Sequence, residues 1–275
     1  MSRALKPYMA SNSLGKQMNK VSVYIIAYNE EDKIAAAVKS ALWADEVIVA
    51  DSHSSDRTAE LAESLGARVV QIDFQGFGKL RNDAIAACSH DWIFSLDSDE
   101  RCTPEAAEEI RTIINNSDAA DTWYTPRRNW FMGRWIKHCG WYPDYRQPQL
   151  FRKGALIFNE ADEVHEGFEI HGSVDHMSNA IWQFPFKDLS QIQDKGKRYS
   201  TLGALKLERR GVEPGMGKAL LRGLWAFIRI YILKLGFLDG WAGFVIAFGN
   251  FEGTFYRYAK LCERKQEWQQ PPDRS

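Results

Sequence analysis

The chain has 275 residues and a mass of 31.5 kDa, and its 45% hydrophobic and 26% charged residues exclude a disordered, collagen-like or coiled-coil protein. This length corresponds to one large α/β domain or two small ones. The formal net charge of −1 hides an asymmetry: residues 21–194 carry 16 basic and 29 acidic side chains, whereas residues 195–265 carry 14 and 5. This asymmetry predicts an acidic part that holds a cation and a basic part that faces anions. The alternative is a chance distribution of solvated side chains.

The cysteines and the N-terminus suggest a cytoplasmic location. The four cysteines show no C-x-x-C spacing, which argues against a zinc site or a disulfide framework and is typical of a reducing compartment. Residues 1–20 contain four basic residues but no apolar segment, so we expect no signal peptide.

Short apolar runs alternate with helical stretches over the first hundred residues. The predicted strands are residues 21–27, 46–50, 67–72 and 92–96, and the predicted helices are residues 31–42, 58–65 and 79–87. This alternation is typical of βαβ units, so we predict an α/β fold with a mostly parallel central sheet flanked by helices. Thr103, Pro104 and Glu105 predict another helix, because a capping hydroxyl precedes a proline and an acid. It should end near Ile114.

The pattern becomes irregular between residues 121 and 188. Short runs at residues 122–125, 149–152 and 155–158 predict strands that extend the sheet or form a second one. Residues 189–210 return to helical periodicity, and residues 211–217 predict a loop with three glycines and a proline.

Residues 218–261 are apolar and aromatic but contain interspersed charges. Arg229, Lys234 and Asp239 interrupt the apolar stretches, so a bilayer-spanning helix is not expected. Aromatic helices that carry Lys and Arg are typical of segments lying in a membrane interface. The alternative is that they pack on the α/β domain or form a dimer interface. Because apolar stretches separate the basic residues, we do not expect nucleic acid as a partner.

Acidic residues follow three of the predicted strands. They lie in Tyr28-Asn29-Glu30, in residues 51–56 and in residues 97–100. Ligands of an open parallel sheet bind at the carboxyl ends of its strands, so these acids should meet at one edge. Carboxylates gathered there would repel one another, and a divalent cation with a diphosphate would offset their charge.

The sequence contains neither G-x-G-x-x-G after the first strand nor a P-loop, so a nucleotide would be held by side chains and a metal. Asp97 and Asp99 stand two positions apart, and in an extended stretch both can point the same way. One can bind the metal, and the other the metal or a ribose hydroxyl.

Three segments, IIAYNE at residues 25–30, DSHSSDRT at 51–58 and LDSDE at 96–100, resemble the family 2 glycosyltransferases of GT-A fold. The similarity continues through QLFR at 149–152 and VHE at 164–166. With KLGFLDG at 234–240 and the basic tail, the chain is most similar to the lipopolysaccharide-core β-glucosyltransferase branch. We therefore expect an N-terminal extension (residues 1–20), a GT-A catalytic domain (21–190) and a helical, membrane-associating C-terminal segment (191–275).

The resemblance implies a donor site for a UDP-sugar. Asp51 would contact the nucleotide, and Tyr28 and Glu30 would lie beside the base and ribose. Asp97 and Asp99 would meet a divalent metal, Mg²⁺ or Mn²⁺, and the sugar diphosphate. The family usually has a second aspartate after the first at strand two, where this chain has Ser52, which makes recognition of the nucleoside harder to infer.

The resemblance also implies inversion by a single displacement, with a carboxylate base across the sugar from the metal. Glu166 is the first choice, and Asp162 and Glu163 are alternatives. His165 is either a further metal ligand or a hydrogen-bonded loop histidine. Arg152 is a candidate to offset the diphosphate charge, and the alternative is an ordinary surface arginine at a strand end. Lys79 and Arg81, which follow the Gly76-Phe-Gly78 loop, are further candidates to approach the diphosphate. Arg127 and Arg128 could bind an anionic acceptor.

The expected acceptor is a membrane glycolipid at the cytoplasmic face of the inner membrane, and the branch suggests glucose transfer to the lipopolysaccharide inner core. A polyprenyl-phosphate acceptor is the nearest alternative. A nucleotidyltransferase is disfavoured, because Tyr28-Asn29-Glu30 lacks the glycine-rich basic loop such enzymes carry after strand one. A non-catalytic sugar-nucleotide-binding protein would bind the donor without turnover.

Overall fold

A computed structural model describes residues 18–160 and 167–264, and its largest sheet has seven strands. Four parallel strands and three connecting helices form its N-terminal half, within two residues of the predicted bounds. The strands are β1 (Val21–Ala27), β2 (Glu46–Asp51), β3 (Arg68–Gln71) and β4 (Trp92–Asp97), and the helices are α1 (Glu31–Ala41), α2 (Thr58–Ser64) and α3 (Phe77–Ala87).

Both faces of this half are covered, which explains its nearly continuous apolar strands. Val23 and Ile25 of β1 join a core with α1, whereas Tyr24 points to the opposite face and joins a core with α3. The predicted fourth helix is α4 (Pro104–Ile114), and Thr103 caps it by accepting a hydrogen bond from the Ala106 amide at 3.1 Å.

The remaining strands make the large sheet mixed and add two small sheets. Strand β9 (Pro148–Arg152) is antiparallel to β4 and β6 (Thr122–Tyr124), while β12 (Val174–His176) is parallel to β6. Strands β10 (Leu156–Phe158) and β11 (Phe168–Ile170) pair as a hairpin. The four-stranded sheet consists of β5 (Glu100–Arg101), β13 (Ile181–Gln183), β7 (Arg127–Phe131) and β8 (Arg134–Trp135), in that order.

The C-terminal segment is helical. Helices α5 (Leu189–Arg209), α6 (Met216–Ile228) and α7 (Gly240–Arg264) are joined by a loop and, between α6 and α7, by a π-helical turn (Arg229–Leu233) and a 3₁₀ turn (Gly236–Asp239). Helix α6 thus begins inside the predicted 211–217 loop. Ile230 and Ile246 pack with Phe131 and Ile136 in a core that joins these helices to the four-stranded sheet.

Two glycines and an aspartate set the bend between α6 and α7. A Cβ on Gly243 would lie 1.8 Å from the carbonyl oxygen of Gly236, so the chain segments can approach only without a side chain there. The buried Asp239 accepts a hydrogen bond from the His138 amide at 2.9 Å. Within residues 18–160 and 167–264 no single helix is long and apolar enough to cross a membrane; residues 216–233 and 236–264, bent by 71°, meet that test only as a pair.

Candidate active site

A cavity of about 880 Å³ opens at the carboxyl ends of the parallel strands, where ligands of such sheets bind. Tyr28 and Glu30 line it after β1, and Ser52 lines it after β2. Asp97 and Asp99 line it from β4. The structure thus brings together residues from the three segments on which the family resemblance rests.

The first two of these segments hold each other in place by hydrogen bonds. Asn29 adopts a left-handed conformation (φ 53°), which asparagine tolerates, and its side chain accepts a hydrogen bond from the Ser55 amide at 2.8 Å. Thr58 accepts one from the Glu30 amide at 2.8 Å, and Asp56 accepts one from the Glu31 amide at 3.1 Å. These contacts fix the loop that presents Tyr28.

Asp97 is anchored from beneath by Arg81 of α3. The Arg81 guanidinium is 2% exposed and donates hydrogen bonds to Asp97 at 2.9 Å and to Ser95 at 3.2 Å. Burial opposes the ionisation of Asp97, but Arg81 and then Arg127 outweigh it and hold the pKa of Asp97 below its usual value. Asp97 is therefore an ionised, positioned carboxylate.

Glu100 lies fully buried behind the two aspartates and organises their backbone. It accepts hydrogen bonds from the Asp97 amide at 3.0 Å and from Gln149 of β9 at 2.8 Å. Arg127 of β7, 2% exposed, pairs with its other oxygen. Burial raises the pKa of Glu100, and the guanidinium of Arg127 opposes this.

Asp99 lies in the electrostatically least favourable position of the group. Burial raises its pKa from 3.8 to about 7, and the neighbouring charges of Asp97 and Glu100 act in the same direction. Without a further cation, a proton on Asp99 would relieve this repulsion at neutral pH.

The donor set suits a divalent cation. Mg²⁺ is commonly held by one or two carboxylates together with substrate phosphates, and Asp97 and Asp99 supply two carboxylates at the cavity wall. In the described part of the chain, no group of three or more His, Cys, Asp or Glu side chains is arranged to hold a metal by itself. Substrate phosphates and water molecules are the ligands that commonly accompany two such carboxylates.

Three of the predicted donor-binding residues make contacts with other side chains of the protein. Asp51 is fully buried and accepts hydrogen bonds from Ser54, so it lies behind the wall that Ser52 forms. Arg81 is engaged with Asp97 beneath the cavity rather than facing a ligand. Lys79 forms an ion pair with Asp83 at 2.7 Å.

Arg152 does not lie at this edge of the sheet. Strand β9 runs antiparallel to β4, so Arg152 pairs with Trp92 at the start of β4, roughly 16 Å from Asp97 at 3.3 Å per residue. It forms ion pairs with Asp91 and Asp121. Arg127, one of the two arginines considered for the acceptor, is committed to Glu100. Glu166, Asp162, Glu163 and His165 lie outside the described residues.

Two features of the cavity were not found from the sequence. Lys195 of α5 lines the cavity, and burial, reinforced by Arg146, lowers its pKa. Phe74 and Phe77, an exposed aromatic pair with ring centroids 5.2 Å apart, also line the cavity. The glycines Gly76 and Gly78 next to Phe77 could have indicated a loop at the cavity, whereas nothing in the sequence of the basic helix distinguishes Lys195 from its neighbours.

Known proteins resemble this chain over most of its length. A sequence model described as Glycosyl transferase family 2 matches residues 22–171. An uncharacterized glycosyltransferase from Rickettsia bellii is 27% identical over 263 residues, which cover 89% of this chain and 86% of that protein. The lipopolysaccharide core biosynthesis glycosyltransferase LpsC of Rhizobium meliloti is 26% identical over 254 residues, covering 89% of this chain and 92% of LpsC.

Among solved structures, glucosyl-3-phosphoglycerate synthase from Mycobacterium tuberculosis, crystallised with Mn²⁺, uridine diphosphate and glucosyl-3-phosphoglycerate, is 27% identical. Its TM-score is 0.36, and the alignment covers 40% of this chain and 44% of that one. The family match spans more than half of this chain and includes β1 to β4 with Asp97 and Asp99. The chain therefore has a GT-A-like α/β fold and is a glycosyltransferase, a member of glycosyltransferase family 2.

Proposed function

We propose that this glycosyltransferase moves a hexose, with glucose as first choice, from a UDP-sugar to a membrane glycolipid, the lipopolysaccharide inner core. The observation that carries the proposal is the cavity of about 880 Å³ that Asp97 and Asp99 share with Tyr28. It combines carboxylates suited to a metal and diphosphate with aromatic surface suited to a nucleoside. The similarity to LpsC supports the choice of acceptor.

Donor binding uses groups along the whole cavity. Tyr28 is 61% exposed and offers its ring to the base, and Ser52 lines the same cavity. Asp97 and Asp99 would hold a divalent cation, which supplies positive charge to the departing diphosphate. Lys33 and Lys195 also line the cavity and add positive charge there.

Transfer requires a base on the other side of the sugar. We propose Glu166, with Asp162 as the alternative, as the carboxylate that takes the proton from the acceptor hydroxyl. Support comes from the hairpin of β10 and β11, which the 159–167 segment connects. Asn82 of α3 donates a hydrogen bond to Glu160 at 2.9 Å, so Glu160 lies beside the helix whose Phe77 lines the cavity, six residues before Glu166 in the sequence.

A UDP-sugar panel tests the proposal. With membrane glycolipid as acceptor, the purified protein should release UDP from one of the sugar donors, and this release should require Mg²⁺ or Mn²⁺. The reason is that Asp97, Asp99 and the diphosphate are all negatively charged, so a cation must lie between them. Luminescent UDP detection and mass spectrometry of the glycolipid measure release and product. Glu166→Gln should keep UDP binding and lose transfer, whereas Glu169→Gln, at an exposed position of β11, should keep both.

Nucleotide binding without turnover of any donor would favour the non-catalytic alternative. A sugar-bearing polyprenyl phosphate as the product would replace the acceptor that we propose. Equal transfer by Glu166→Gln and wild type would remove Glu166 as the base.

The acceptor proposal places the protein at the cytoplasmic face of the inner membrane, attached peripherally. One face of α6 and one face of α7 expose large apolar side chains at helical spacing. They are Leu220, Leu221, Leu224, Trp225, Ile228, Trp241, Phe244 and Phe248. Arg222 and Arg229 accompany them, as expected for helices at an anionic lipid surface.

Changing this face should release the protein from lipid. Leu221 is 69% exposed and Trp241 is 78% exposed, so Leu221→Glu with Trp241→Glu should leave folding intact and lower the fraction bound to phosphatidylglycerol vesicles by about 10-fold or more. Co-sedimentation measures binding, and Leu42→Glu, an exposed leucine beside α1, is the matched control. Unchanged sedimentation of the double variant would contradict lipid contact through this face.

A further inference from the structure

A second cavity lies between α5 and α7, beside the catalytic one. Its volume is about 330 Å³, and its walls include Trp141, Phe186 and Tyr199 on one side and the α7 backbone at Gly249 and Gly253 on the other. The two cavities share Lys195, which lines both. A molecule bound between α5 and α7 would therefore extend toward the cavity wall that contains Asp99.

The charge of this cleft has one sign. Lys195 and Arg257 line it, and neither forms an ion pair with a carboxylate in the described part of the chain. The described residues that line it include no Asp or Glu. Two uncompensated cations in a cleft attract an anion, and a guanidinium binds phosphate or carboxylate with two parallel hydrogen bonds.

The remaining walls combine aromatic surface with small polar groups. Trp141 and Phe186 are half-buried and fixed by packing against Phe131, at centroid distances of 5.9 and 6.1 Å. Tyr199, Ser200 and Thr254 add hydroxyl groups. Aromatic surface with a few polar groups is typical of sites for small polar molecules, and flat rings suit the apolar faces of sugars.

We propose that this cleft is the acceptor subsite and binds an anionic saccharide, whose phosphate or carboxylate pairs with Lys195 and Arg257 while its sugar rings lie against Trp141 and Tyr199. This inference rests on the proposed function and specifies where the acceptor enters. It also gives the basic α5 and α7 a role in recognition in addition to packing. The acceptor hydroxyl then approaches the donor from the α5 side.

One glycine of the cleft has room for an added Cβ, which allows a steric test. A Cβ on Gly253 would meet no heavy atom within 4 Å, so Gly253→Leu fills the cleft, and leucine favours the helix over glycine by about 0.5–1 kcal/mol. Arg257→Gln is a second variant at an exposed position; it removes the charge together with the guanidinium group, whose Nε lies beside Gly203 of α5. Gly217→Leu, also open within 4 Å but at the start of α6, is the matched control.

The probe is the deacylated, phosphorylated oligosaccharide of deep-rough lipopolysaccharide, titrated calorimetrically into the full chain with UDP and Mg²⁺. Gly253→Leu and Arg257→Gln should each weaken its binding by about 10-fold or more, while UDP affinity and the melting temperature stay at the wild-type or control level. The dephosphorylated oligosaccharide shows which anionic group the cleft binds. If it binds more weakly than the phosphorylated form, the cleft binds the phosphate, and if it binds equally well, the cleft binds a carboxylate.

Wild-type affinity for the oligosaccharide in both variants would overturn the cleft as acceptor subsite, and so would a wild-type protein that binds UDP but not the oligosaccharide. Failure of the proposed function is distinguishable. It would appear as a wild-type protein that transfers no sugar from any donor, whereas a transferring wild type with equally active cleft variants refutes the cleft alone.

Discussion

Asp99→Asn is expected to abolish sugar transfer while making the metal-free protein more stable above neutral pH. The variant removes one of two carboxylates that would hold the cation, and loss of such electrostatic stabilisation lowers turnover by about 10²–10³-fold or more. It also removes the charge that Asp97 and Glu100 repel. UDP release and thermal unfolding in EDTA measure the two effects on the same preparation.

The direction of the pH dependence follows from the raised pKa of Asp99. Its value of about 7 lies above the 3.8 of the unfolded chain, so its contribution to stability is complete below pH 4 and is lost as the pH rises through about 7. Wild type and Asp99→Asn should thus melt at similar temperatures near pH 4, and the variant should melt higher at pH 8. Added Mg²⁺ should narrow the difference, because a cation relieves the same repulsion.

Asp91→Asn is the matched control, since Asp91 precedes the same strand at its opposite end and is exposed. It should alter neither transfer nor the pH profile of melting. A fully active Asp99→Asn variant would remove Asp99 from the site. A variant that melts below wild type at pH 8 would contradict the repulsion among the three carboxylates.

The parallel half of the fold could be predicted because its signals are local. Each of β1 to β4 is a short apolar run followed by polar residues at its carboxyl end, so Tyr28, Asp97 and Asp99 could be assigned to one edge of the sheet without knowing the packing. These residues lie within the segments that resemble the family. Their chemistry and their position in the strand are both visible in the sequence.

The positions of Arg152, Arg127 and Lys195 could not be predicted from the sequence, because they depend on strand direction and on contacts between distant segments. The local sequence around Arg152 does not show that β9 runs antiparallel to β4, which moves the arginine to the far edge. Arg127, which the sequence offered for binding an anionic acceptor, lies against Glu100 because β13 pairs with both β7 and β5. Lys195 reaches the cavity only because α5 begins directly after β13 and passes the site.

Glu100 also depends on contacts between distant segments, and through them it affects both the position of Asp97 and the stability of the fold. This carboxylate holds the amide of Asp97, yet it is fully buried and relies on Arg127 for its charge. The four-stranded sheet therefore supports the loop of Asp97 and Asp99 through a buried ion pair. Disturbing that sheet should affect both folding and the geometry of Asp97.

Arg127→Met is expected to lower the free energy of unfolding by about 3–5 kcal/mol, because it leaves Glu100 buried without its cation. The loss should be larger at pH 8 than at pH 5. Burial raises the pKa of Glu100. Without Arg127, the folded protein can therefore bind a proton on Glu100 at pH 5. At pH 8 the buried glutamate either stays ionised without a cation or binds a proton from a solution in which protons are scarce, and both outcomes lower the free energy of unfolding further. Urea unfolding followed by circular dichroism at both pH values measures the loss.

The double variant Glu100→Gln with Arg127→Met separates an unpaired charge from lost packing. A neutral amide costs less to bury than an isolated carboxylate, so the double variant should recover much of the stability and lose the pH dependence. Arg128→Met is the neighbouring control: Arg128 lies over the rings of Trp135 and Trp182 and should cost only about 1 kcal/mol. If Arg127→Met cost no more than Arg128→Met, the buried pair would not be what holds β7 to the loop of Asp97 and Asp99.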